Sequence, residues 1–315
     1  MKRLLLVIGG ATACGKSQVA LSIAKKLNTA VISADSRQVY RDLDIGTAKL
    51  MPADRQGVPH YLIDCCDLHE SYNAGKFTKD ALEILSQLFL NHQVVVLCGG
   101  TGLFIQGVIS GFAQIPEVSP TIREQLNTEL TKFGLPRLVQ ELAQVDPKTA
   151  QNIDCHNPHR VLRALEVFRA TGKPLSYFHN QQPTLRDFDV LYCVLSLEKN
   201  VLHARIEART RDMLFRGLAQ ETQNILQKYP FSEIQALQTV GYQECISYLH
   251  GKITARELPE QIILRTKQYA KRQITWFNKV PDAHRISAED PEFATQQIMD
   301  LLEKQLAILN STPPR

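Results

Sequence analysis

Two hydrophobic patterns alternate along the first third of the chain. Residues 4–8 (LLLVI) and 94–98 (VVVLC) are unbroken apolar runs, as expected for strands buried on both faces of a parallel sheet. Between them, residues 18–27 carry Val19, Ala20, Ile23, Ala24 and Leu27 at helical spacing, and a second helix is expected near 78–90. A shorter strand, 30–33, ends at Ala34-Asp35, and the 94–98 run stops at Gly99-Gly100. Strand, helix and strand in this order imply right-handed crossovers with helices on both faces of the sheet. From Ser119 to about Gln182 the pattern turns helical, punctuated by Pro136, Pro147, Pro158 and Pro174. Ser119-Pro120-Thr121 fits a helix start, with proline in the first turn. A strand-like run at 190–197 resumes the core pattern, and long helices follow. With residues 10–17 fitting G-x-x-x-x-G-K-[ST] between the first strand and helix, the expectation is an α/β, P-loop NTPase-like core, its parallel sheet flanked by helices, made of residues 1–118 and 183–315. A helical insertion domain, 119–182, interrupts it. Residues 310–315 are expected to form a disordered tail.

Composition narrows the class. With 315 residues and 44% hydrophobic content the chain can build one large core or two modest ones, and a wholly disordered chain is excluded. No apolar run approaches the ~20 residues of a membrane span. The opening run leads directly into a glycine-rich loop, so it does not read as a signal peptide. Seven scattered cysteines, none spaced as Cys-x-x-Cys, point to a reducing compartment without structural zinc; the expectation is a soluble, cytoplasmic protein. Cys155, His156 and His159 lack a fourth ligand at metal spacing, which argues against a zinc cluster. The formal charge of +4 permits a phosphate or nucleic-acid partner without requiring one.

Chemistry enters at Gly10-Ala11-Thr12-Ala13-Cys14-Gly15-Lys16-Ser17, which fits G-x-x-x-x-G-K-[ST] with a strand before it and a helix after. Its amides and the helix start suit a diphosphate or triphosphate, Lys16 adds a mobile charge, and the Ser17 hydroxyl can join a Mg²⁺ shell. ATP or GTP chemistry is the default reading of such a loop. Against it, the strongest later strand ends in Cys98-Gly99-Gly100 rather than in a metal-organising aspartate. Asp35 ends the second strand instead. A carboxylate there can act as a general base or support a metal, or it can simply cap the next helix.

The chain resembles the bacterial tRNA dimethylallyltransferases (tRNA isopentenyltransferases) over nearly its whole length. Besides the phosphate loop, the resemblance rests on Asp35-Ser36-Arg37-Gln38-Val39-Tyr40, Asp44-Ile45-Gly46-Thr47-Ala48-Lys49 and Gly57-Val58-Pro59-His60-Tyr61-Leu62-Ile63-Asp64. Further along come Gly99-Gly100-Thr101-Gly102-Leu103-Phe104, Arg160-Val161-Leu162-Arg163-Ala164-Leu165-Glu166-Val167, Val240-Gly241-Tyr242 and Gln273-Ile274-Thr275-Trp276-Phe277. Ala11, Tyr61 and Phe104 stand where the family usually has Pro, His and Tyr.

The resemblance implies transfer of a dimethylallyl group from dimethylallyl diphosphate to N6 of adenosine 37 in tRNAs reading codons that begin with U. On that reading residues 10–17 hold the diphosphate with Mg²⁺, and the catalytic set is Asp35 as base with Thr12, Lys16 and Arg209. Arg205 shares a helix face with Arg209 and competes for the diphosphate. The resemblance assigns tRNA contact to Asp35, Ser36, Arg37, Gln38, Thr101, Arg123, His159, Arg160, Val161, Leu162 and Arg163. It adds Gln238, Thr239, Val240, Gly241, Tyr242 and Gln243. The implied partners are a tRNA anticodon stem-loop and dimethylallyl diphosphate, with no membrane, and the protein is expected to be a monomer. Residues 256–279 form a basic amphipathic stretch with Tyr269 and Trp276 that suits RNA phosphates, or else an ordinary helix with Trp276 in the core. The competing functions are an adenylate isopentenyltransferase using free AMP or ADP, a P-loop small-molecule kinase, and a nucleotide-gated RNA-binding module.

Overall fold

The computed structural model describes residues 2–113, 115–116, 118–179, 185–230 and 234–311. Three long apolar runs form the centre of a six-stranded, all-parallel sheet: β1 (Leu4–Gly10), β4 (Val94–Gly99) and β5 (Asp189–Ser196). With β2 (Val31–Ser33), β3 (His60–Tyr61) and β6 (His284–Ser287) the order is β3-β2-β4-β1-β5-β6. The register sets Leu4 beside Val94 and Asp189, and Ile8 beside Cys98 and Cys193.

Because successive side chains leave a strand on opposite faces, the central strands feed two cores. Leu5, Val7, Val95 and Leu97 join Phe77, Phe104 and Phe277, from α2 (Ala74–Leu88), α3 (Gly102–Ser110) and α12 (Glu257–Phe277). Leu4, Leu6, Ile8 and Val96 join Ile23, Ile298 and Leu302, from α1 (Lys16–Lys26) and α13 (Pro291–Ser311). Burial on both faces explains why these strands read as continuous apolar runs. The short edge strands β3 and β6 lack such runs and had no sequence signal. The helix α13 continues through Ser311, so Asn310 and Ser311 are ordered helix rather than tail; the rest of the expected tail, 312–315, lies outside the described residues.

Two compact units result: Met1–Ile109 with Arg186–Arg315, and Ser110–Leu185. The second contains α4 (Pro120–Phe133), α5 (Leu135–Val145), α6 (Pro147–Asn152), α7 (Pro158–Thr171) and α8 (Leu175–His179). Ser119 caps α4, its side chain accepting from the Thr121 amide at 3.3 Å, with Pro120 in the first turn. The core of this unit gathers Leu126, Leu138, Leu142, Val161 and Leu165. The upper limit expected for the insertion, 182/183, falls outside the described residues. In the first unit α9 (Lys199–Phe215), α10 (Leu218–Lys228) and α11 (Tyr242–Leu249) complete the helical layers. Among the described residues no helix is long and apolar enough to cross a membrane, and all seven cysteines are free thiols.

Candidate active site

The phosphate loop forms where β1 leaves the sheet and α1 begins. Gly10 holds φ +147°, and a Cβ there would lie 2.6 Å from the Leu195 carbonyl oxygen, so the loop has room only for glycine. Gly15 caps α1 in the left-handed conformation and offers no side chain to its amides. The opening amides of a helix have no carbonyl one turn back, so they are available to an anion. Lys16 arches over the loop and donates to the Ala11 carbonyl at 2.6 Å. Ala11 and Cys14 are buried, and Ser17 is exposed on the first turn of α1.

Asp35 follows β2 directly. Its Oδ1 accepts the Arg37 amide at 2.8 Å and the Gln38 amide at 3.4 Å. Residues 36–39 form turns rather than a helix, so Asp35 is not a helix cap. Among the described residues no hydrogen bond reaches its Oδ2. The neighbouring loop after β4 steadies this turn. The Gly99 backbone lies against the Ala34 carbonyl, leaving no space for a Cβ, and the Thr101 hydroxyl accepts the Ser36 amide at 3.0 Å. Gln38 accepts from the Ser33 hydroxyl at 3.1 Å and donates to the Thr47 carbonyl at 3.2 Å. Lys49, with its side chain buried, donates to the Tyr40 carbonyl at 2.9 Å and to Asp44 and Asp64 at 2.6 and 2.5 Å. It thereby closes the loop that carries Thr47.

Two cavities meet at this point, with Thr12, Asp35, Thr47, Arg209 and Tyr269 as their common wall. The first also holds Lys16, Ser17 and Gln38 beside apolar Val31, Leu50 and Ile63. The second runs past Ser36, Arg37, Gln238, Thr239, Val240 and Gly241 toward Ile262 and Arg272. Burial pulls the Arg209 guanidinium pKa down, while the nearby Asp35 charge opposes the shift. Burial pushes the Tyr269 phenol up, and Asp35 reinforces the effect, so Tyr269 stays a hydrogen-bond donor. Arg205 donates through Nη2 to the Ala288 and Glu289 carbonyls at 3.2 and 3.0 Å, while its Nη1 lies beside Gly15 of the loop.

Tyr269 and Gln273, one turn apart on α12, were not singled out as site residues from the sequence. Gln273 accepts the Thr12 amide at 2.8 Å and donates to the Gly100 carbonyl at 2.9 Å. Trp276 is not core: it is 38% exposed, and its ring packs against Gly102.

Other expected contacts divide by burial. Gln243 is exposed, and its side-chain amide donates to Gln238. Tyr242 is fully buried, with its hydroxyl donating to Glu221 at 2.6 Å and its ring filling the space above Gly46. In the helical unit His159 and Arg160 are exposed at the start of α7. The side chains of Val161 and Leu162 lie in that unit's core. Arg123 grips the buried Glu166 through two hydrogen bonds of 2.7 and 3.1 Å, and Arg163 approaches it at 3.4 Å.

An anion cradle at the carboxyl ends of a parallel sheet, sharing an ionisable wall with a second cavity, defines a two-substrate group-transfer enzyme with a phosphate loop. The chain belongs to the IPP transferase family, whose model matches residues 38–280, and it is a prenyl-transferring enzyme. It is similar to the tRNA dimethylallyltransferase of Cytophaga hutchinsonii, at 43% identity over 279 residues, covering 89% of this chain and 91% of that one. Its identity to the Synechocystis tRNA dimethylallyltransferase is 42% over 287 residues, covering 91% and 92%. Among solved structures it is similar to the full-length tRNA isopentenylpyrophosphate transferase of Bacillus halodurans, at 33% identity and TM-score 0.71, covering 98% and 97%. A eukaryotic dimethylallyltransferase acting on tRNA aligns at 26% identity and TM-score 0.84, covering 97% and 80%.

Proposed function

We propose that this enzyme transfers a dimethylallyl group from dimethylallyl diphosphate to N6 of adenosine 37 in tRNAs reading codons that begin with U, in the cytoplasm. The observation that carries this reading is the common wall of the two cavities, because a transfer needs donor and acceptor to meet at one set of reacting groups. The cavity with Lys16 and Ser17 takes the diphosphate, and the one with Arg37 and Gln238 takes the extruded base. N6 is a weak nucleophile because its lone pair is delocalised into the ring. Asp35, held in place through Oδ1, offers Oδ2 to accept the N6 proton as nitrogen attacks the allylic carbon and the carbon–oxygen bond to diphosphate breaks. Charge then develops on the departing oxygen, where Lys16, Arg209 and the loop amides stabilise it.

The family implies Mg²⁺. Among the described residues no three His, Cys, Asp or Glu side chains gather as a metal cage. A single hydroxyl, Ser17, beside a phosphate cradle suits an ion held mainly by phosphate oxygens and water. Mg²⁺ bound there would neutralise the leaving diphosphate. The exposed His159 and Arg160, with Arg123 and Arg163, are the groups of the helical unit best suited to tRNA phosphates. The test is incorporation of label from dimethylallyl diphosphate into unmodified tRNA or AMP, with and without Mg²⁺. Label on tRNA that depends on Mg²⁺ is expected. Label on AMP alone would replace the acceptor, and ATP consumption without prenyl transfer would replace the reaction class.

A further inference from the structure

We infer that Gln273 is a positioning residue for the phosphate loop, holding Thr12 at the junction of donor and acceptor through an oriented side-chain amide. Gln273 sits on α12, 261 residues from Thr12 in sequence, and is only 7% exposed. Its two ends make opposite bonds. Oε1 accepts the Thr12 amide at 2.8 Å, and Nε2 donates to the Gly100 carbonyl at 2.9 Å. The amide therefore has one allowed orientation, since the flipped side chain would set donor against donor and acceptor against acceptor. Gly100 makes this approach possible, because a Cβ there would overlap Nε2 of Gln273.

The Thr12 amide is thus not part of the anion cradle, which falls to the later amides of the loop and the start of α1. What Gln273 supplies is position. Thr12 lies on the wall between the two cavities, one of the five residues common to both. A loop anchored at its first free residue to both α12 and the end of β4 holds its amides where leaving-group charge will appear. A displacement of about 1 Å at such a site can cost ~100-fold in rate. Gln273 need touch neither substrate for this; it acts through Thr12 and the loop.

This inference rests on reading the loop as a diphosphate cradle, so its test has one arm that does not depend on prenyl transfer. Calorimetry with inorganic diphosphate and Mg²⁺ compares wild type with Gln273→Met, which keeps the length and removes both bonds. Binding about tenfold weaker in the variant is expected, in line with a loop that has lost its anchor. In single-turnover transfer with saturating tRNA, Gln273→Met should lose about 10- to 100-fold in rate at every pH, with its tRNA Kd unchanged.

The variant Gln273→Glu separates orientation from packing. As a carboxylate it faces the Gly100 carbonyl with an acceptor; protonated, it presents one acceptor and one donor, as the amide does. Burial and the bond to Gly100 favour the protonated form, while the Thr12 amide and the Lys16 and Arg209 charges favour the carboxylate. Asp35, His60, Cys98 and Tyr269 line this cavity too, so each rate is taken as a ratio to wild type at the same pH. The ratio should rise severalfold as pH falls from about 8 to about 5.5. A Gln273→Met enzyme with wild-type diphosphate binding and turnover, or a Gln273→Glu ratio that does not rise on acidification, would overturn the inference. Wild-type protein that binds diphosphate yet fails to prenylate tRNA would instead refute the function proposed above.

Discussion

The two units use polar chemistry in opposite ways. In the α/β unit the polar groups that line both cavities converge from distant parts of the chain: Thr12 after β1, Asp35 after β2, Arg209 on α9, Tyr269 on α12. Uncharged side chains bridge the backbone beside them, Gln273 at Thr12, Thr101 at Ser36 and Gln38 at Thr47, while the charged Lys49 closes the loop that carries Thr47. In the helical unit the charged groups of interest lie on α7 and its neighbours α4 and α5, and are organised by carboxylates. Glu166 joins Arg123 and Arg163, and Arg169 bridges Glu129 and Glu141 at 2.7 and 2.8 Å. A reacting site demands fixed dipoles aimed at developing charge, whereas a surface that reads a polyanion needs exposed positive forks that tolerate small movements. Neutral bridges at Thr12 and Ser36 suit the first because they add no charge to compete with Asp35 and Lys16. Carboxylate anchoring suits the second because an arginine keeps free donors after gripping one carboxylate.

The largest effect should come from the reacting unit. Asp35→Asn, which keeps an oxygen to accept the Arg37 and Gln38 amides, is expected to lower single-turnover transfer at saturating tRNA by about 10²- to 10⁴-fold. A rate within a few-fold of wild type would remove Asp35 from the role of base and with it the neutral-anchor argument. Next comes the helical unit's core. Leu162→Ala should cost about 2–5 kcal/mol of stability, read by denaturant unfolding, because the residue is buried among apolar neighbours. Weaker tRNA binding by a Leu162→Ala protein of undiminished stability would return that side chain to the contact surface.

How much of this was legible in the sequence follows from how far apart the cooperating residues lie. The strands β1, β4 and β5 were readable because burial on both faces makes an unbroken apolar run. The strands β3 and β6 were not, since His60-Tyr61 and His284-Arg285-Ile286-Ser287 are short, polar edge segments. The phosphate loop is local and showed itself by spacing alone. Tyr269 and Gln273 join the site through tertiary packing of α12; the resemblance marks the segment that opens with Gln273, and the basic stretch includes Tyr269, but neither says which cavity the side chains line. Tyr242, Val161 and Leu162 were expected as contacts because a contiguous motif was carried over whole. Helical periodicity then divides such a motif, turning Arg160 outward and Val161 inward, so adjacent residues cannot share one role.

The smallest effects separate the arginines of the helical unit by what they hold. Arg123→Ala removes the bidentate partner of Glu166, whose side chain is 4% exposed, so the variant should lose both tRNA affinity and about 1–3 kcal/mol of stability. Arg160 is exposed at the start of α7, and among the described residues no ion pair involves it. Arg160→Ala should leave stability within about 0.5 kcal/mol of wild type. It should still weaken tRNA binding uniformly across sequences and reduce the slope of log K against log salt by about 1, as expected for one lost phosphate contact. The two variants measured side by side test the carboxylate-anchored surface directly. Equal stability losses would mean that the Glu166 pairing organises nothing. An unchanged salt slope for Arg160→Ala, alongside a reduced one for Arg123→Ala, would confine the tRNA-binding face to the arginines that Glu166 holds.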